Sequence, residues 1–149
     1  MMKIFHLVLV VFCVILPLSV RSTDETIVSS KDEKGNKVYI TFEAVGCFVD
    51  KERRALRNMY YDGRALIKWT DRFDATDVIK RCAENAYRQA FPGMFGVQYY
   101  GECWSDGSAE ERYNMYGVST NCEHGLGKDW ANMVYRYKVV TAKPVSKSL

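Results

Sequence analysis

Four cysteines, Cys47, Cys82, Cys103 and Cys122, constrain what this chain can fold into more than any other feature. A fifth, Cys13, sits in an apolar run from Leu7 to Val20 that follows Lys3. That run is shorter than the ~20 apolar residues of a membrane span and has the form of a signal-peptide core. Val20 and Ser22 are small residues suited to a cleavage site, so residues 1–22 read as a signal peptide and Cys13 leaves with it. The mature chain then carries an even number of cysteines and no Cys-x-x-Cys pair. In an exported chain that pattern reads as two disulfides in place of metal ligands or redox centres. The expectation is a secreted, extracellular protein with no membrane span in its mature part.

Removing 22 residues from 149 leaves 127, enough for one domain with a real core. Lys3 and Arg21 also leave, so 19 basic residues face 18 acidic ones, a net charge of +1. No basic stripe stands out, and nucleic acid is not an expected partner. There is no long acidic block to concentrate cations. Ten tyrosines are available for core and wet surface alike, because a phenol has an apolar body and a polar tip.

Residues 23–37 are polar, lack apolar periodicity and read as a flexible tail, as do residues 141–149. The domain is expected over residues 38–140. Val38, Ile40, Phe42 and Ala44 alternate as in a half-buried strand. Cys47 is out of phase with them, and Gly46 can host a bulge that turns it inward. Asp74 or Thr76 can cap a helix whose stripe is Ile79, Cys82, Ala83, Ala86 and Ala90, with Pro92-Gly93 ending it. Residues 95–104 read as one strand, with Phe95, Val97, Tyr99 and Cys103 on one face and Gln98, Tyr100, Glu102 and Trp104 on the other. A last strand is expected over about 132–140, after a Gly-rich loop from Asn121 to Lys128.

The sum is an α+β domain, a small mainly antiparallel sheet with one principal helix packed on it. Four cysteines allow three connectivities. The helix turns Cys82 inward, and Cys103 lies on the inward face of the strand returning beneath it, which favours Cys82–Cys103. Cys47–Cys122 then ties the first strand to the late loop.

Several stretches together carry a resemblance. They are Gly46-Cys47-Phe48, the helix around Cys82, Phe95-Gly96-Val97-Gln98, Gly101-Glu102-Cys103-Trp104-Ser105, Tyr116-Gly117-Val118-Ser119 with Cys122, and Val134-Tyr135-Arg136. Their order resembles small secreted cysteine-rich modules of invertebrate, notably cnidarian, extracellular proteins, over about residues 45–137. It is also remotely similar to the WSC domain, which shares the Gly-Cys-aromatic opening, the cysteine helix and the Glu-Cys-aromatic segment but usually holds more cysteines. The resemblance implies an extracellular location, in some relatives a skeletal organic matrix, and carbohydrate binding as the activity of WSC-type modules.

The residues themselves offer little catalytic chemistry. After cleavage only His124 remains of two histidines, and it reads as a loop residue. No metal site, cofactor or nucleophilic triad is expected from this inventory. Two carboxylates suffice for glycoside hydrolysis, and Glu102 is the first candidate, but a small module seldom has the deep cleft that such chemistry needs. Asp106, Glu110 and Glu111 read as a solvated acidic loop rather than a calcium site, because their spacing is not that of an EF-hand. Gln98, Tyr100, Glu102 and Trp104 combine a ring that can stack on a sugar with hydrogen-bonding groups, and form the candidate ligand face. The competing reading places Trp104 in the core. The expected function is therefore a non-enzymatic matrix or recognition module with an extracellular glycan or matrix component as partner. A structural matrix component without a specific ligand, and a small secreted effector or toxin, are the alternatives.

Overall fold

The computed structural model describes residues 26–67, 69 and 74–142. The expected signal peptide over residues 1–22, and residues 23–25 and 143–149 of the expected tails, lie outside the described residues.

Among the described residues the chain forms β1 (Thr26–Lys31), β2 (Lys37–Val49), β3 (Asn58–Asp62), α1 (Thr76–Arg88), β4 (Met94–Gln98), β5 (Glu102–Ser105), α2 (Ala109–Arg112), β6 (Cys122–Glu123), β7 (Leu126–Gly127) and β8 (Ala131–Val140). Six strands make one curled antiparallel sheet in the order β1-β2-β8-β4-β5-β3, and β6 pairs with β7 apart from it. This is the expected sheet with a single long helix, with sheet as the dominant element.

Alternation along the strands gives the sheet two apolar faces. Ile40, Phe42, Phe95, Val97, Cys103, Tyr135 and Tyr137 meet Val78, Cys82, Ala83 and Ala86 of α1 on one face. Phe95 stacks on Tyr135 at 5.2 Å, and Phe42 meets both rings edge-on. Each such fully buried side chain contributes about 1.5–3 kcal/mol by leaving water. On the opposite face Leu56, Met94, Ala109 and Val134 form a second cluster, with Val45, Phe48, Trp104 and Tyr113 packed around it. The loop after β2 and the short α2 cover that face.

Helix α1 starts where the sequence places it. The N-cap position falls to Ala75, without a side-chain cap, and Asp74 just before it accepts a hydrogen bond from the Thr76 backbone N–H at 2.8 Å. The helix ends earlier than Pro92-Gly93. Ala90 takes a left-handed backbone (φ 55), its N–H donates to Tyr87 O, and the Phe91 N–H donates to Ala86 O. These two bonds make a Schellman motif in which alanine holds the position usually given to glycine. Ala90 is thus exposed beyond the helix and does not belong to its buried stripe, which Val78 joins instead.

The bulge falls at the expected glycine. Ala44 pairs with Tyr135 and Gly46 with Val134, so Val45 is the extra residue in β2. Both expected disulfides are present, Cys47–Cys122 and Cys82–Cys103, with Cα separations of 6.0 and 5.4 Å.

Two further expectations are corrected. Residues 26–37 do not form a tail: Thr26–Lys31 pairs along β2, and Asp32 closes the connecting turn by accepting from the Lys34 and Asn36 backbone N–H groups. Its polar residues are those of an edge strand with solvent on one side. The run 95–104 is not one strand but the hairpin β4–β5. Tyr99 and Tyr100 form its turn with φ of 44 and 66, and the Gly101 N–H donates to Gln98 O at 3.0 Å. Positive φ at both central residues suits the twist of an antiparallel pair, as in a type I′ turn. The pairing of Val97 with Cys103 keeps both on the helix face, so the inward assignment of Cys103 survives the break.

Candidate functional site

The hairpin tip and the loops beside it form an aromatic, charge-paired surface. The Tyr100 N–H donates to Gly127 O at 2.9 Å and the Tyr99 N–H to Lys128 O at 3.4 Å, which docks the turn against the segment leading into β8. Trp69 meets Tyr100 edge-on at 5.5 Å, and Tyr100 lies 6.2 Å from Tyr99. The Arg64 guanidinium sits over the Tyr99 ring at 5.4 Å and reaches Glu102 Oε1 at 3.4 Å. Trp104 Nε1 donates to the other Glu102 oxygen at 3.2 Å. Arg54 then lies between two indoles, 4.5 Å from the Trp104 ring and 4.6 Å from that of Trp130.

The Arg54 stack is fixed from behind. Asp50, 2% exposed, accepts from Arg54 at 2.9 Å and from the Ala55 N–H at 2.8 Å, while its own N–H donates to Trp130 O. Each cation–ring contact contributes about 0.5–2 kcal/mol, more where water is excluded. One loop aspartate thereby holds a guanidinium and two tryptophans in register.

Charge on this surface is internally matched. Arg54 pairs with Asp50, Arg64 with Asp62 and Glu102, and Lys128 with Glu123 at 2.7 Å. Hydrogen bonding from Arg64 holds the Asp62 carboxyl below its ordinary pKa, and the same contact raises that of Arg64. Glu123 raises Lys128 by a hydrogen bond, with Tyr100 adding a smaller electrostatic effect.

Of the four residues named from sequence, three share a face. Gln98 pairs with Glu102 across the hairpin, and Trp104 lies opposite Gly96 on the same side. Gln98 is 3% exposed and belongs beneath this surface rather than on it. Trp104 is half-buried, one side packed on the second core cluster and the other under Arg54. Tyr100 stands in the turn and packs toward the helix-side core, away from the other three. The exposed rings are ones the sequence did not single out: Trp69 at 67%, Trp130 at 51% and Tyr99 at 44%. No glycine or asparagine stands at Tyr99-Tyr100 to mark the turn that exposes Tyr99.

The acidic loop has structural work. Asp106 accepts from the Arg57 and Ser108 backbone N–H groups, and Glu110 pairs with Arg136. Among the described residues no group of three or more His, Cys, Asp or Glu side chains is placed to hold a metal ion. No helix among the described residues is long and apolar enough to cross a membrane.

Fold and surface together define a small two-disulfide domain, an antiparallel sheet crossed by one helix, with a ring-presenting patch at one hairpin tip. Comparison with protein-family models, with curated proteins and with solved structures gives no match.

Proposed function

We propose that this chain is a secreted, non-enzymatic recognition module of an extracellular matrix, and that its hairpin-tip surface binds a neutral carbohydrate. The observation that carries the reading is backbone strain beneath exposed rings. Tyr99 and Trp130, both exposed, hold positive φ, at 44 and 55. Left-handed backbone disfavours bulky side chains by roughly 1–2 kcal/mol per residue, and such strain gathers at functional sites. Two exposed aromatic residues bear it on this surface, and Tyr100 beside them, at φ 66, packs inward. The exposed rings are set as platforms on which the apolar face of a pyranose can stack, with Glu102, Arg64 and Lys128 at hand for its hydroxyls.

Charge pairing supports a neutral ligand over an acidic one. Each cation of this surface already faces a carboxylate, so an incoming anion would have to displace one. The two disulfides are compatible with an oxidising, extracellular setting, and the likeness to WSC-type modules points to the same ligand class. The test is an array of neutral and anionic glycans probed with the oxidised chain at low and high salt. Binding to neutral glycans that persists at high salt supports the reading. Binding confined to anionic glycans, or to none, rejects it.

A further inference from the structure

A second surface carries lysines that no ion pair matches among the described residues. An open groove of about 880 Å³ runs between the β1–β2 turn and the C-terminal end of α1. Tyr87, Phe91 and Tyr137 give it an aromatic lining, and Lys31, Lys34 and Lys138 stand along it. The lining is fixed: the Tyr137 hydroxyl donates to Phe91 O, and Phe91 packs on Tyr60 at 5.3 Å.

None of those three lysines makes an ion pair among the described residues, in contrast to the matched cations at the hairpin tip. Arg88 also borders the groove but is held by Glu84 at 2.8 Å. Two carboxylates border it as well. Asp32 is committed to its own turn, accepting from Lys34 N, Asn36 N and Asn36 Nδ2. Glu33 also lines the groove. Asp32 keeps its charge, so with Arg88 matched by Glu84 the three unpaired lysines outnumber the two carboxylates by one, over an aromatic floor.

We infer that this groove binds a sulfated polysaccharide. Charge complementarity asks for an anion, and the aromatic floor asks for a flat apolar face between the anionic groups, which a sugar ring supplies. The cations are lysines, compact point charges without the planar fork with which arginine grips a single carboxylate. Such a set reads the density of repeated sulfates along a chain. This site is independent of the hairpin-tip reading. With both, the module would bridge a neutral and an anionic glycan.

The experiment uses dextran sulfate and unsulfated dextran as probes, with affinity measured on the oxidised chain and on two double variants of equal charge change. K34Q/K138Q removes groove lysines, and K51Q/K80Q removes two elsewhere. The native chain should bind dextran sulfate and not dextran, more weakly as salt rises. K34Q/K138Q should bind roughly two- to thirtyfold more weakly, as for two lost surface ion contacts, and K51Q/K80Q less than about twofold more weakly. Absence of dextran sulfate binding, or equal loss in both variants, overturns the inference. So does tighter binding to poly-glutamate than to dextran sulfate, which would assign the groove to an acidic protein.

Discussion

Selective reduction of Cys47–Cys122 is the consequence of this architecture most open to measurement. Cys82 and Cys103 are fully buried between α1 and the sheet, whereas Cys47 and Cys122 are only half-buried. Thiol–disulfide exchange needs access to sulfur, so a mild reductant acting on the folded protein should open Cys47–Cys122 first. The two bridges also differ in the loop they close, with sequence separations of 75 and 21. In the chain-entropy model these loops correspond to about 4.5 and 3.3 kcal/mol of stability. The accessible bridge is thus the one that restrains the unfolded chain more. A Cys47→Ala/Cys122→Ala variant should lose about 4.5 kcal/mol, a large part of the ~5–15 kcal/mol typical of a domain. With a urea slope of ~1–3 kcal/mol/M, its midpoint should fall by about 1.5–4.5 M. Timed reduction, alkylation with two mass-distinct reagents and peptide mapping give the order of opening. Labelling of Cys82 and Cys103 before or together with Cys47 and Cys122 would refute the burial argument. A midpoint shift below about 0.5 M would refute the loop argument.

Three further outcomes are expected. Ala90→Gly should raise stability by about 1 kcal/mol in a denaturant melt, because glycine removes the left-handed penalty in the Schellman position; a destabilised variant would show that Ala90 is not strained. Gly127→Ala should cost roughly 3 kcal/mol or more, because a Cβ there would strike the Ala131 carbonyl and lie 2.7 Å from Val97 O; a native-like melting temperature would contradict it. Burial raises the phenols of Tyr60, Tyr135 and Tyr137 above their ordinary value of 10.0. Their folded pKa exceeds the unfolded one, so the protonated forms stabilise the fold fully below pH 10 and that contribution is lost as pH rises above it. Alkaline titration followed by circular dichroism should show stability falling from about pH 10 upward, and less steeply in Tyr60→Phe.

Much of the scaffold was legible because it rests on local pattern. Cysteine parity, the helical stripe through Cys82 and the odd phase of Cys47 each carry one physical reading, and both bridges and the Gly46 bulge lie where those readings put them. The hairpin break was not legible, because Tyr99-Tyr100 holds none of the glycine or asparagine that marks a left-handed turn. Strand β1 was hidden by its polar composition, which is that of an edge. The site was least legible. The Arg54 stack joins residues 50, 76 and 26 positions apart (Arg54 with Trp104 and Trp130, and the two indoles with each other), a contact set by the register of β5 and β8 and not by any motif. Trp104, read as either core or binding residue, is packed on one side and covered by a guanidinium on the other.

The central claim is that the strained rings at the hairpin tip exist to hold a neutral sugar. Its most direct test is the affinity of the native chain and of Trp130→Ala for the neutral glycan that binds best on an array, measured by calorimetry alongside each melting temperature. Trp130 is half exposed and its ring meets Arg54, so Trp130→Ala should stay folded and lose only about 0.5–2 kcal/mol of stability. Affinity in Trp130→Ala should fall about tenfold or more, the effect of losing one stacking platform. Unchanged affinity in a folded Trp130→Ala protein would contradict the account.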